Sequence, residues 1–187
     1  LLDGRYQAAN CLLGIRSCGS MIGDAAGASG TLALTGAGSQ ALLLGTLLLG
    51  NAAVFDGYGT AGATSTGILR VEQGGELRTQ GLHTGVGWSP RANGLERSEA
   101  RVTVSGPSSR LIVETNTLNG NEAVANFASG DARSAANLWI IEGGRFEVAS
   151  EAGRNYGLRL GNGGSFAGEV SGAGSLLTLS GDADKGY

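Results

Sequence analysis

The chain has one histidine, His83, with Ser and Asp plentiful elsewhere. A Ser-His-Asp relay would need that imidazole to take the serine proton and a carboxylate to orient the ring. Abundant Ser and Asp make such a match uninformative, and the simpler reading is an exposed loop histidine. Asp182, Asp184 and Gly186 resemble the opening of a calcium loop, but the third acidic position and the closing Glu are missing. No Gly-Lys-Ser/Thr occurs, so no phosphate-binding loop is expected. Cys11 and Cys18 are the only cysteines, with six residues between them. That spacing fits neither haem attachment nor a redox pair, and the lack of metal partners nearby argues against zinc. Two readings stay open: a local disulfide in an oxidising compartment, or two buried free thiols. Arg101, Arg110, Glu114, Arg145 and Glu147 suit one further scheme, a sheet face that cuts polysaccharide. Against it, aromatic content is only 5% and the charges alternate in sign.

The elements that must position these residues repeat. Arg101-Val102-Thr103-Val104-Ser105-Gly106-Pro107-Ser108-Ser109-Arg110-Leu111-Ile112-Val113 reads as strand, tight turn, strand. Thr31-Leu32-Ala33-Leu34-Thr35-Gly36-Ala37-Gly38-Ser39 is an earlier copy, and Gly168 to Leu179 a later one. The central glycines are Gly36, Gly106 and Gly172, so the two steps are nearly equal. A second motif has a double glycine, Gly74-Gly75 and Gly143-Gly144, and repeats after a step of the same size. A third is an apolar pair before Gly-Asn, at Leu48-Leu49-Gly50-Asn51 and, more loosely, Leu158-Arg159-Leu160-Gly161-Asn162; Met21-Ile22-Gly23-Asp24 resembles it. Two motifs share a period of ~70 residues, and with the third type counted the period divides into ~20–25 residues each, the scale of one solenoid coil.

Glycine supplies 35 of 187 residues, yet collagen is excluded: no strict Gly-X-Y period exists and there are two prolines. A 41% hydrophobic content in alternating runs can bury a core. Helix signals are poor outside Ala8 to Ile22, and no apolar run is long enough to span a membrane as a helix. A net charge of −3 gives no steering toward nucleic acid. Arg70/Glu72, Glu76/Arg78 and Arg145/Glu147 each flank an apolar residue, so these charges are expected to face outward as weak pairs.

Ile22-Gly23, then Gly30 to Ser39, then the double-glycine motifs, resemble the repeats of autotransporter passenger domains of Gram-negative bacteria. The resemblance runs from about Gly19 to Gly181. It departs at Leu1 to Ser20, at Leu82 to Ala100 and at Pro107-Ser108, and cysteines are uncommon in such passengers. It implies a right-handed parallel β-helix displayed outside the cell, with no catalytic residues in the repeats. It also implies localisation at the outer surface, or secretion.

The expected fold is therefore all-β, a right-handed parallel β-helix of ~8 coils of ~23 residues. An antiparallel barrel or sandwich is the rival architecture. Residues 1–20 are expected to form an atypical coil or cap, and residues 21–187 the repeats. Starting at Leu1 without Met and ending just after a strand motif, the chain is expected to be a fragment of a longer polypeptide. Residues 82–100 are expected to be a projecting insertion, with His83, Trp88, Arg91 and Arg97 as partner-contact candidates. Trp139 is expected at the core edge. The expected function is a non-enzymatic stalk or adhesin, with no cofactor and no metal. Its partner would be a surface protein or glycan of a host or neighbouring cell, or like rods; nucleic acid is not expected. Membrane attachment would come only through a C-terminal translocator outside this chain. The alternative is a polysaccharide-active β-helix enzyme.

Overall fold

The computed structural model describes residues 19–51, 62–86, 97–114, 124–128, 132–149, 157–161 and 163–180. Cys11, Cys18, Trp88, Arg91, Asp182 and Asp184 lie outside them. Every regular element among the described residues is a strand: β1 (Gly19–Ile22), β2 (Ser29–Thr35), β3 (Gln40–Asn51), β4 (Thr64–Glu72), β5 (Glu76–Val86), β6 (Arg97–Ser105) and β7 (Arg110–Glu114). Then come β8 (Val124–Phe127), β9 (Ser134–Ile141), β10 (Arg145–Ala149), β11 (Leu158–Leu160), β12 (Ser165–Ser171) and β13 (Leu176–Ser180).

All strand pairings among the described residues are parallel, which excludes the antiparallel barrel and sandwich. One sheet runs β2-β4-β6-β9-β12; the other runs β1-β3-β5-β7-β10-β13, with β8 joining β5 to β11. The long strand β5 explains the fork. Its first half, Glu76–Thr79, pairs with β7, and its second half, Gly81–Thr84, pairs with β8. The chain is thus a β-solenoid with three columns of strands around one core.

Register fixes the coil length. Leu32 pairs with Leu69, Leu69 with Val102, Val102 with Leu138, and Leu138 with Gly168. Each return to the column therefore takes roughly 30–37 residues, the scale of a large solenoid repeat. The expected coil is only about two-thirds of that length, so it is too short and eight coils do not follow. The period seen in the sequence is two coils, not one long unit of three motifs.

The same register explains the motifs. The turns after β2, β4, β6, β9 and β12 stack on one another. They alternate between a four-residue form ending in Ser (Gly36 to Ser39, Gly106 to Ser109, Gly172 to Ser175) and a three-residue form ending in Gly-Gly (Gln73 to Gly75, Glu142 to Gly144). Gln73 and Glu142 take matching left-handed φ values of 54° and 55°. Ser109 Oγ donates to Ser105 O at 2.6 Å and accepts from Gly74 N–H at 2.9 Å. Ser175 Oγ donates to Ser171 O and accepts from Gly143 N–H at 3.0 Å. The serine form thus caps the double-glycine form of the preceding coil.

A second corner column lies at the C-terminal ends of β1, β3, β5, β8 and β11. Gly23, Gly50, Gly85, Ala128 and Gly161 all have positive φ, between 53° and 68°. Buried Ser65 and Ser98 donate to the carbonyls of Gly23 and Gly50 in the coil below. Asn51 Nδ2 donates to Asp24 Oδ1 at 2.9 Å, which accounts for the Gly-Asn/Asp motif.

The alternating positions bury as expected. Leu69, Val71, Leu77, Val102, Val104, Leu111, Val113 and Phe146 are fully buried. Leu43, Leu47, Leu49, Leu82, Phe127, Leu138 and Ile140 join them in the core. Phe127 packs edge-on against Phe146 and Phe166, with ring centroids 6.1 and 5.5 Å away. Leu160, Val170 and Leu179 stand in register with buried residues yet are exposed, because they belong to the last described coil.

Gly144 tests the corner. A Cβ there would sit 2.2 Å from Val104 O, whereas one on Gly157 meets nothing within 4 Å. Gly144→Ala is expected to cost about 2–4 kcal/mol in urea unfolding, and Gly157→Ala to stay within about 0.5 kcal/mol.

Candidate interaction surface on the longer sheet

Outward positions of β5, β7 and β10 carry most of the charge that the structure brings together. Glu76 and Arg78 share the outward phase of β5; Arg110 and Glu114 share that of β7; Arg145 and Glu147 share that of β10. Period 2 within each strand and parallel register between strands therefore build a polar ladder. Arg78 Nε donates to Glu76 Oε1 at 2.7 Å, and its Nη1 to Glu114 at 3.3 Å. Arg110 spans three coils: Nη1 reaches Glu76 at 3.4 Å, and Nη2 reaches both oxygens of Glu147 at 3.1 Å. The side chains are 18–39% exposed, so water screens these pairs.

The outward pairing expected from the sequence is borne out for Glu76/Arg78. Arg110 does more than expected, since its partners lie in the coils on either side. Of the five residues in the polysaccharide scheme, Arg110, Glu114, Arg145 and Glu147 lie on this face. Arg101 lies on the other sheet, where Arg101 Nη2 stands 3.9 Å from Glu99 Oε2.

The two ends of the stretch expected to project are strands. Leu82 is fully buried in β5, and His83 pairs in register with Leu48 and Asn126. Arg97 opens β6 and pairs with Thr64. Residues 82–86 and 97–100 thus belong to the ladder; only residues 87–96 between them lie outside the described residues. Of the polar residues that give this stretch its loop composition, His83, Arg97 and Glu99 sit in the outward phase of strands.

His83 is half-buried, with Arg159 in the same outward column. Burial, and secondarily the Arg159 charge, hold its imidazole below the ordinary 6.5. Trp139 is half-buried on the outward phase of β9. Among the described residues no group of three His, Cys, Asp or Glu side chains is placed to hold a metal ion.

Two predictions come from this face. Arg110→Ala is expected to lower stability by about 0.5–1 kcal/mol at low salt, with the loss shrinking in about 1 M NaCl. Unfolding midpoints at the two salt concentrations check it. His83 sets a pH dependence. The unfolded imidazole takes a proton near its ordinary 6.5, the folded one only at lower pH. The unfolded chain therefore binds more protons in that window, and stability falls as pH drops from about 7.5 to 5.5. His83→Gln should remove that share of the slope, and an NMR titration should place the imidazole below 6.5.

A scan of family models finds no match to this chain, and searches of curated proteins and of solved structures find none either.

Proposed function

We propose that this chain is a stalk segment of a right-handed parallel β-helix carried on, or secreted from, the outside of a Gram-negative cell, without enzymatic activity. The observation behind this reading is where the polar side chains on β5, β7 and β10 point. Glu76, Arg78, Arg110, Glu114 and Glu147 bond to one another along the stack. Such a ladder stiffens a column of coils and leaves the carboxylates engaged with guanidinium groups. General acid–base chemistry on a sugar asks instead for carboxyl groups set toward a bound chain. The resemblance of the Gly30 to Ser39 and double-glycine motifs to passenger repeats supports the location.

In this reading the stack carries load or distance, and adhesion to a protein or glycan of another cell is a variant of the same role. The test is incubation of the purified chain with a glycan array and with soluble polysaccharides, alongside protease shaving of intact cells that make the parent protein. A stalk binds no glycan tightly, releases no reducing ends and is removed by shaving. Array binding that survives washing would move the reading to adhesin. New reducing ends, or full protection from shaving, would overturn it.

A further inference from the structure

Arg145 is the one charge of the ladder on β5, β7 and β10 that forms no ion pair among the described residues. Its side chain is exposed, and Glu147, two residues on, already gives both carboxylate oxygens to Arg110 at 3.1 Å. In register Arg145 lies between Arg110, a like charge, and Leu176. A guanidinium so placed calls for a carboxylate from outside the stack. The same face holds apolar side chains that water reaches. Met21, Leu42, Leu44 and Leu176 are exposed and point away from the core, all on this sheet. The outer face of the shorter sheet has no exposed large apolar side chain among the described residues. We propose that the outer face of the longer sheet is a seam between two copies of the chain, lying side by side in the same direction about a two-fold axis parallel to the stack.

Charge order along the strands selects this occupant. β5 carries Glu76 and then Arg78, and β10 carries Arg145 and then Glu147. Glu76, Arg110 and Arg145 stand in one outward column, and Arg78, Ile112 and Glu147 in the next. A two-fold axis running between these columns keeps each coil level with its copy and exchanges the columns. Glu76 then faces Arg78 of the second copy, and Arg145 faces Glu147 of the second copy, each contact occurring twice. Arg110 faces Ile112, so no like charges meet. Leu42 and Leu176 flank the axis at the two ends of the seam, each beside its own copy.

The opposite orientation is less favourable. A two-fold axis along β7 sets Glu76 against Arg145 and Arg78 against Glu147, the same number of attractive contacts. It also lays Arg110 on Arg110 and Glu114 on Glu114, and like charges brought together across an interface cost several kcal/mol. The area limits the strength. Rows of strands at ~4.8 Å make a face roughly 20 Å on a side, about 400 Å² per partner against the ~800 Å² of a stable complex. Association is therefore weak and reversible. It does not depend on the stalk reading, which glycan arrays and protease shaving test without it.

Sedimentation from about 20 μM to 1 mM is expected to show a monomer–dimer equilibrium that dissociates as NaCl rises to about 1 M. Arg145→Glu sets a carboxylate against Glu147 of the second copy and is expected to weaken association more than about tenfold. Its urea midpoint should match that of the unaltered chain, because Arg145 is exposed and has no ion pair to lose. Adding Glu147→Arg to Arg145→Glu reverses the contact and should restore the dimer. A chain that stays monomeric throughout would overturn the proposal, and so would a dimer indifferent to salt and to Arg145→Glu. Recovery by Glu76→Arg with Arg145→Glu, in place of the Glu147 swap, would overturn the same-direction pairing. Recovery by neither swap, with urea midpoints held, would overturn the seam.

Discussion

Backbone lying on backbone at the corners is the constraint on which the rest depends. Parallel coils stack at ~4.8 Å, and that spacing leaves no room for a Cβ where one chain turns over the carbonyl of another. Gly75 over Leu34 O and Gly144 over Val104 O meet this condition in one corner column. Gly50 and Gly67 meet it in another, where a Cβ on Gly67 would lie 2.3 Å from Gly50 N. Once these points are pinned, register has no freedom. A slip by one residue would turn every inward leucine and valine of a strand to the outside.

Core and surface are consequences of that register. Because β4, β6 and β9 cannot slide, Leu69, Val102 and Leu138 meet in one column, and so do Val71, Val104 and Ile140. By the same geometry Arg110 falls between Glu76 and Glu147. The magnitudes rank the two effects. A buried leucine or valine is worth about 1.5–3 kcal/mol, against at most about 1 kcal/mol for a half-exposed ion pair. The outer ladder therefore stiffens a stack that the core and the corners already hold. Its contribution is to keep charge satisfied on a face that would otherwise repel itself, since like columns bring side chains within a few ångströms at each coil.

Much of this was legible in the residues. Period-2 alternation located most strands and their inward phase, and the repeated motifs identified a solenoid. The coil length was not legible. The serine corner and the double-glycine corner look like different stations of one repeat, yet they occupy one station in alternate coils. Their one-residue difference in length hides the equivalence until register is known. Ala128 and Val86 hid another: Ala128 takes the left-handed conformation that glycine holds in the rest of its column, and Val86 stands where Asn would follow Gly85, so the Gly-Asn motif skips two coils. Residues 82–86 and 97–100 have loop-like composition because outward-phase polar residues of a strand, here His83, Arg97 and Glu99, mimic it. Val170 and Leu179 keep the inward phase of their columns, but burial needs a coil above as well as a side chain pointing in. The proposed location was not legible from geometry; it draws on motif resemblance.

The alternation of corners changes what counts as the repeating unit. A single coil is not interchangeable with its neighbour, because the serine hydroxyl of one must meet the glycine N–H of the one below. Two coils together form the smallest piece whose top and bottom match. Growth of such a stack by duplication preserves every corner contact only in steps of two. This also accounts for why the strongest sequence likeness, between the Gly74-Gly75 and Gly143-Gly144 segments and between the three serine corners, skips a coil each time. Selection on packing acts between coils of unlike type, whereas likeness in sequence appears between coils that are not neighbours in the stack.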